Sequence, residues 1–234
     1  MRTSPHIEDS EFRALQTLSA ALGSDPLRTQ GAGGNTSIKR DGVMWIKASG
    51  TWLADALAQD IMTPVRLDPL RKAIASGDPR AAAATDFVDS RANLSGLRPS
   101  IETSVHAIIP SPVVVHIHCV NTIALAVRHD GEFLVRERLW PHADVALAFI
   151  PYRKPGLPLA HAIADRLTRN TNVLVLANHG LVVAGETVKE VAGRIERVCE
   201  ALSAPACAAL PVDAGKLASI VEGSDYRLDR KSVV

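Results

Sequence analysis

Hydrophobic and polar positions along the 234-residue chain follow two alternating periods. Apolar residues recur at helical spacing after a capping residue at Asp9 or Ser10, and Gly23 marks the end of this first helix. Short runs rich in Val and Ile predict buried strands, most clearly at residues 112–119 and 172–177. Helices that alternate with strands in this way predict an α/β fold, with a central sheet covered by helices.

The same pattern predicts the remaining elements. They are a Gly-rich loop at 31–37, a strand at 44–48, a helix at 53–58, an alanine-rich helical stretch at 68–91, a helix opened by Pro99 and Ser100, a helix at 121–127, a strand at 145–150, a helix at 159–167, and a long last helix opened by a capping box at 187–190. We expect one domain over residues 1–234, with peripheral tails at 1–9 and about 210–234.

Composition and charge narrow the function classes. The chain carries 26 Lys and Arg against 25 Asp and Glu and few aromatic residues, which argues against nucleic-acid binding. Its apolar stretches are shorter than the roughly 20 residues of a membrane span. The N-terminus lacks the apolar segment of a secretion signal, and the three cysteines form no CxxC pair. These observations predict a reduced, cytoplasmic protein without a membrane partner.

His116 and His118 lie two positions apart in the predicted strand at 112–119. Side chains alternate across a strand, so both imidazoles face the same side, roughly 6–7 Å apart along the backbone. Two rings at that separation can bind one metal ion, and histidine is the commonest metal ligand. The alternative is one core histidine and one histidine at the strand end. We interpret the pair as metal ligands.

His179 follows the strand at 172–177 and precedes Gly180, which we expect to allow a sharp turn. Alone it is typical of a turn histidine, but beside the strand pair it becomes the natural third ligand. Three histidines with one open position are the arrangement of a catalytic zinc site.

Glu102 lies two residues after the capping residue Ser100, where acidic residues are favoured by the helix dipole alone. Its functional interpretation is a general base, or a carboxylate that approaches the metal when substrate is absent. His106 follows one turn later and could hydrogen-bond to Glu102.

Three segments carry groups that can bind an anion: residues 33–37 (GGNTS), Ser49 with Gly50, and Ser100. Backbone N–H groups and hydroxyls of this kind can form a phosphate-binding nest without any lysine. The glycines do not complete a GxGxxG motif and no Walker A sequence occurs, so the motifs do not support nucleotide binding.

Six short motifs follow one another along the chain. They are GGNTSIK (33–39), KASG (47–50), PSIET with a following histidine (99–106), VVHIH (114–118), PYRKPG (151–156) and NHG (178–180). This ordered set resembles the class II aldolase/adducin family, which includes fuculose-phosphate and rhamnulose-phosphate aldolases and ribulose-phosphate 4-epimerase. The PSIET and PYRKPG forms are most similar to the aldolase half of long bifunctional rhamnulose-phosphate aldolase/dehydrogenases.

The resemblance implies a single three-layer domain with a mostly antiparallel central sheet. It implies that His116, His118 and His179 bind one Zn²⁺ or another divalent ion per chain, and that Glu102 is the catalytic acid/base. The residues at the family's substrate-phosphate positions are Gly34, Asn35, Ser49, Gly50 and Ser100. The family further implies a C4 homotetramer with sites near the subunit interfaces.

The implied reaction is retro-aldol cleavage of a ketose phosphate to dihydroxyacetone phosphate and an aldehyde, with the metal as Lewis acid. The alternatives are 4-epimerisation or decarboxylation at the same metal, with a non-catalytic adducin-like interaction module as a distant third. The chain departs from the family at Ile101, where aldolases often have a second serine. No tyrosine lies between Cys119 and Tyr152 to match the one that protonates the leaving aldehyde.

Overall fold

The computed structural model of the protein describes residues 10–205 and 213–223. Contacts between Cα atoms divide the chain into one unit that ends at Ser203 and a second that begins at Ala204. The single domain expected over the whole chain therefore stays a prediction. Asp9, the tail at 1–9 and most of the tail from about 210 lie outside the described residues.

Strands and helices alternate along the first unit. In chain order its strands are β1 Asn35–Arg40, β2 Val43–Lys47, β3 Met62–Arg66, β4 Val113–Ile117, β5 Leu147–Ile150, β6 Val173–Leu176 and β7 Gly180–Gly185. Its α-helices are α1 Ser10–Ser24, α2 Leu67–Ser76, α3 Thr103–Ile108, α4 Val120–Ala126, α5 Gly131–Leu139, α6 Leu157–Ala164 and α7 Val188–Ala201. Short 3₁₀ helices span Leu53–Leu57, Pro79–Ala82 and Thr85–Phe87, and α8 Ala214–Val221 belongs to the second unit.

The strands among the described residues form one seven-stranded sheet in the order β3-β2-β1-β4-β7-β6-β5. Neighbouring strands are antiparallel except for β5 and β6, which are parallel. The sheet is therefore mostly antiparallel, as the family resemblance implied, but the one parallel pair makes it a mixed sheet. A parallel pair needs a crossover connection, and α6 lies between β5 and β6 in the chain.

Helices cover both faces of the sheet, which gives the expected three layers. Val113, Val115 and Ile117 of β4 pack into a core with α1, α4, α5 and α7. The alternate residue Val114 packs into the opposite core with α3 and α6. Because β4 is buried on both faces, its sequence is a nearly continuous apolar run. By the same alternation, His116 lies on the side of Val114.

The structure corrects several predicted elements. β1 begins at Asn35, inside the stretch predicted as a Gly-rich loop. β3, β7 and α5 were absent from the prediction, and the helical stretch at 68–91 contains one α-helix and two 3₁₀ helices. β3 lies at the sheet edge, where its Pro64 is tolerated, so its sequence lacks an ordinary strand signal. The predicted capping of α7 is confirmed, because the Thr187 side chain accepts a hydrogen bond from the Glu190 amide.

No helix of the described residues is long and apolar enough to cross a bilayer.

Candidate active site

Three histidines from two parts of the chain converge at one end of the central strands. The potential ligand atoms of His116, His118 and His179 all lie within 4.8 Å of one another. Their ring centroids are 5.0, 4.8 and 5.4 Å apart. The distances are short enough for one metal ion to contact all three rings, as the sequence predicted for the pair in the strand.

The ends of β4, β6 and β7 place these rings. His116 is the fourth residue of β4 and is only 1% exposed, while His118 follows the strand end and is partly buried. His179 lies in the tight turn between β6 and β7, where its amide donates to the Leu176 carbonyl at 3.1 Å. The left-handed residue of this turn is Asn178, with φ of 52°.

Two glycines leave room for the histidine rings. A Cβ atom on Gly180 would lie 2.4 Å from the Ile117 carbonyl and 3.0 Å from His116 Cε1. A Cβ atom on Gly33 would lie 2.7 Å from His118 Nδ1. The expected role of Gly180 in allowing a sharp turn is therefore corrected: the glycine is required for close packing.

The state of the ring nitrogens fits a metal ion. His116 Nδ1 lies 3.1 Å from the Leu181 carbonyl, which can only accept, so Nδ1 carries a proton. In the tautomer that this bond selects, Nε2 is the nitrogen that can bind a metal. Among the described residues, four buried atoms of the cluster have no hydrogen-bond partner: His116 Nε2, His118 Nε2, His179 Nδ1 and Glu102 Oε1. Buried polar atoms without a partner are costly unless something binds them, and a divalent cation bound to the imidazole nitrogens would do so.

Glu102 lies against the histidines. Its Oε2 is 3.4 Å from His116 Nε2, and its Oε1 is 3.3 Å from His179 Nε2. It immediately precedes α3, whereas the sequence placed it in the first turn. Asn35 Nδ2 donates to Glu102 Oε2 at 2.9 Å, and the Glu102 amide donates to Ser100 Oγ at 3.2 Å. Asn35 of β1 therefore holds the carboxylate, and Ser100 holds the backbone of Glu102 at the start of α3.

Burial and neighbouring charge decide the protonation states. Burial raises the pKa of Glu102, but His116, His179 and the Asn35 amide lower it further, to about 2, so the carboxyl is ionised. Burial lowers the pKa of His118 to about 4, with a further contribution from His116, and burial also lowers the pKa of His179. At neutral pH the rings of His118 and His179 are uncharged, the form in which imidazole binds a metal.

The His106 ring does not hydrogen-bond to the Glu102 carboxylate as the sequence suggested, although the His106 amide donates to the Glu102 carbonyl at 3.2 Å. Its Nδ1 lies 2.7 Å from Ser37 Oγ on β1, and the ring is fully buried. This contact joins β1 to α3, and helical spacing alone does not predict it.

A cavity of about 260 Å³ opens beside the histidines. Its lining includes Glu102, His118, His179 and all of the predicted phosphate-binding residues, Gly34, Asn35, Ser49, Gly50 and Ser100. The structure thus brings these residues together.

Two other hydroxyls of the predicted phosphate-binding segment are already bonded to other residues, because Thr36 Oγ1 contacts Ser19 Oγ at 2.8 Å and Ser37 contacts His106. The Ser49 amide donates to the Arg98 carbonyl at 2.9 Å, which leaves only its hydroxyl for a ligand.

The cavity also contains Lys47, which the sequence analysis left out. Its side chain is almost fully buried, and burial lowers its pKa to about 8 although the charge of Glu102 raises it. The signal was present in the sequence: Lys47 ends an otherwise apolar strand, where an unpaired cation is out of place.

Comparison with known proteins agrees with the fold. The sequence model of one family, described as Class II Aldolase and Adducin N-terminal domain, matches residues 15–204. The chain belongs to the class II aldolase and adducin family. The resemblance inferred from the six motifs is thereby confirmed.

One relative of this class II aldolase-family chain is much longer than the chain itself. The uncharacterized oxidoreductase YuxG of Bacillus subtilis is 31% identical over 206 residues, which cover 78% of this chain and 29% of YuxG. This chain thus spans less than a third of that relative's length.

Two solved structures have the same fold. The N-terminal class II aldolase domain of a conserved Thermoplasma acidophilum protein is 26% identical with a TM-score of 0.70, over 86% of this chain and 98% of that one. A sugar-phosphate aldolase from Thermotoga maritima is 16% identical with a TM-score of 0.64, over 82% and 91% of the two chains.

Proposed function

We propose that this chain is a metal-dependent lyase that cleaves a ketose phosphate, of the fuculose-phosphate or rhamnulose-phosphate kind, to dihydroxyacetone phosphate and an aldehyde. The observation that carries the proposal is the convergence of three histidines on Glu102, beside a cavity that Glu102, His118 and His179 line. Buried nitrogen atoms of the three rings have no hydrogen-bond partner among the described residues. Membership of the family supports a lyase-type enzyme in general, and the sugar-phosphate aldolase among the similar structures supports the substrate class.

The contacts of each residue support its role. His116, His118 and His179 would hold one divalent cation, with zinc expected because three imidazoles with an open position are typical of catalytic zinc. A bound cation would supply Lewis-acid chemistry at the substrate's oxygen atoms.

Glu102 would move the proton at the carbon atom next to the substrate carbonyl. Its ionised carboxylate faces the ring nitrogens and is held by Asn35, which fixes the position from which it can accept a proton. The residues proposed to bind the phosphate are Gly34, Asn35, Ser49, Gly50 and Ser100.

Product analysis tests the reaction. The zinc-loaded protein is incubated with fuculose 1-phosphate and with rhamnulose 1-phosphate, and dihydroxyacetone phosphate is measured with a coupled dehydrogenase. We expect release that EDTA abolishes and added zinc restores. An epimerised ketose phosphate or released carbon dioxide, without dihydroxyacetone phosphate, would instead assign epimerisation or decarboxylation. If a fully loaded protein gives none of these products, the lyase proposal is wrong.

Elemental analysis separates an enzyme from an interaction module. We expect about one zinc ion per chain after dialysis, as for a single three-histidine site. A protein that retains no metal and is insensitive to EDTA would favour the adducin-like module. The homotetramer and the cytoplasmic location remain predictions of the family resemblance and the composition.

A further inference from the structure

Two cysteines that are far apart in the sequence meet in the folded chain. Cys119 lies between the end of β4 and the start of α4, and Cys199 lies in the last turn of α7. Their side chains hydrogen-bond to each other, and both thiols are free. Thiols in such contact are close enough for a disulfide to join them once the side chains approach further. The roles proposed above use neither cysteine.

The cysteine pair is buried, yet a small molecule can reach it. Cys119 is 2% exposed and Cys199 is 5% exposed, and both line a cavity of about 370 Å³. The lining of this cavity contains none of the three histidines, and it includes the exposed Glu196, so the cavity reaches the surface. A cavity of this size holds several molecules as small as water or hydrogen peroxide.

Arg28 provides an unused donor in the same cavity. Its Nη2 donates to Glu196 Oε2 at 2.9 Å, whereas Nη1 is buried and has no hydrogen-bond partner within residues 10–205 and 213–223. The guanidinium also interacts electrostatically with both cysteines. Positive charge beside a thiol is typical of reactive cysteines, and the N–H groups of Nη1 would bind an oxygen atom of an oxidant. Cysteines that only fill a core need neither feature.

A bond between the two sulfur atoms would move a proposed metal ligand. An S–S bond is about 2.05 Å long, shorter than a hydrogen-bonding contact, so the two side chains must approach each other. Cys199 is held in a 14-residue helix that packs into the core. Cys119 instead shares the short link between β4 and α4 with His118, whose carbonyl accepts from Gln30 in the loop before β1. Because the link is less firmly held than the helix, the His118 ring would shift.

We propose that Cys119 and Cys199 form a redox modification site that reacts with a hydroperoxide and closes to a disulfide, which weakens metal binding through His118. With hydrogen peroxide, two S–H bonds and the O–O bond break, and one S–S bond and two O–H bonds form. The two sulfur atoms lose two electrons to the peroxide, which leaves as two water molecules. A thiol reductant reverses the step by exchange. The effect on the metal rests on the proposed function, in which His118 is a ligand.

Peptide mapping of the full chain identifies the bond. The reduced protein is freed of reductant, treated with hydrogen peroxide, quenched with catalase and alkylated with N-ethylmaleimide. We expect the peptides of Cys119 and Cys199 to be linked, two of the chain's three thiols to escape alkylation, and dithiothreitol to restore both. C207S should form the same bond, and C119S and C199S should not. A link to Cys207, a bond only between two copies of the chain, or unlinked cysteines would overturn the proposal.

The zinc affinities of the two forms test the effect on the metal. Competition with a fluorescent zinc chelator is measured on the reduced and on the disulfide-bonded wild type. We expect the disulfide-bonded form to bind zinc about tenfold to a hundredfold more weakly, as when a group that orients a ligand is lost. Equal affinities in the two forms would overturn the proposal.

Two controls show that the disulfide causes the loss. C199S keeps Cys119 but cannot form the bond, so peroxide should leave its zinc affinity unchanged. An equal loss in folded C199S would show that peroxide acts elsewhere and would overturn the proposal. Reduction of the oxidised wild type, followed by removal of the reductant, should restore the affinity, and this control needs no variant to fold.

The lyase proposal fails separately from the redox site. The disulfide and the zinc affinity are both measured without turnover, so a disulfide that weakens zinc binding supports the redox site even if no dihydroxyacetone phosphate is released. Zinc-dependent release by a protein whose thiols stay free under peroxide would remove only the redox site.

Discussion

The two ends of the β1–β4 strand pair both carry polar groups, but only one end satisfies them. Near Val113, opposite Ile38, the Lys39 ammonium donates to two carbonyls and its amide donates to the Pro112 carbonyl. At the other end Asn35 lies opposite His116, and buried atoms of the histidine cluster have no hydrogen-bond partner in the part of the chain that the structure describes. Because proteins pair nearly all buried polar groups, the unpaired atoms support the proposal that a ligand binds at this end.

Loss of a histidine should have the largest effect on metal binding at the unsatisfied end of the strand pair. We expect H118A to reduce bound zinc from about one ion per chain to less than about a tenth, because two imidazoles do not make the site. Plasma mass spectrometry after dialysis measures it. H161A, which removes an exposed histidine from α6, should retain the ion. If H118A keeps its zinc, the unsatisfied end does not bind the metal through this ring.

Removal of the carboxylate charge should separate proton transfer from metal binding. We expect E102Q to keep its zinc and to lose about 10²–10⁴-fold in turnover, the usual contribution of a general acid or base. Metal content and the rate of dihydroxyacetone phosphate release are measured on one preparation. Parallel loss of metal and activity would make Glu102 a metal ligand and would contradict its assignment as the base.

Removal of the buried charge of Lys47 should stabilise the metal-free protein at neutral pH. Its pKa falls from 10.5 to about 8 on folding, so the folded state loses its proton first between these values and wild-type stability rises with pH there. At about 1.4 kcal/mol per pKa unit, less about 1 kcal/mol for the hydrogen bond that Nζ donates to the Ala32 carbonyl, we expect K47M to gain about 2 kcal/mol at pH 7.

Urea unfolding at pH 7 and at pH 10 checks this expectation. The advantage of K47M should shrink at the higher pH, because the wild-type lysine is then uncharged in the folded state. A variant that is less stable than the wild type at both values would show that Lys47 is satisfied in the free protein, like Lys39.

A methyl group beside His118 should have the smallest effect. In G33A the new Cβ would lie 2.7 Å from His118 Nδ1 and 2.9 Å from the Gln30 carbonyl. We expect the ring to shift and zinc affinity to fall about tenfold, as when a group that orients a ligand is lost. Competition with a fluorescent zinc chelator measures the affinity. G193A on α7 is the control, and equal affinities in the two variants would show that the ring adapts without cost.

The sequence predicted the part of the site that depends on local spacing. His116 and His118 were recognisable because strand alternation places both on one side, and the order of the motifs identified the family. The approach of Glu102 to the histidines depends on how α3 packs against β1 and β4. The spacing of the residues did not predict this packing, and only the family resemblance implied it.

The errors have physical causes of the same kind. β3 was not predicted because it contains Pro64, which is tolerated in an edge strand but is not typical of strand sequences. β7 was not predicted because Gly180, its first residue, was interpreted as part of a turn. Lys47 was missed although a lysine that ends an apolar strand is a signal in the sequence, because its place in the cavity beside Glu102 depends on three-dimensional packing. The hydroxyls of Thr36 and Ser37 were overestimated as ligands for the opposite reason, since partners in α1 and α3 already occupy them.

The bond from His116 Nδ1 to the Leu181 carbonyl ties imidazole orientation to the alignment of two neighbouring strands. If β7 slid by one position past β4, that carbonyl would point to the other side and the ring would lose its anchor. Variants designed to change the metal preference of the site should therefore keep the residues that pair β4 with β7. The backbone of β7 sets the orientation of the His116 ring through this bond.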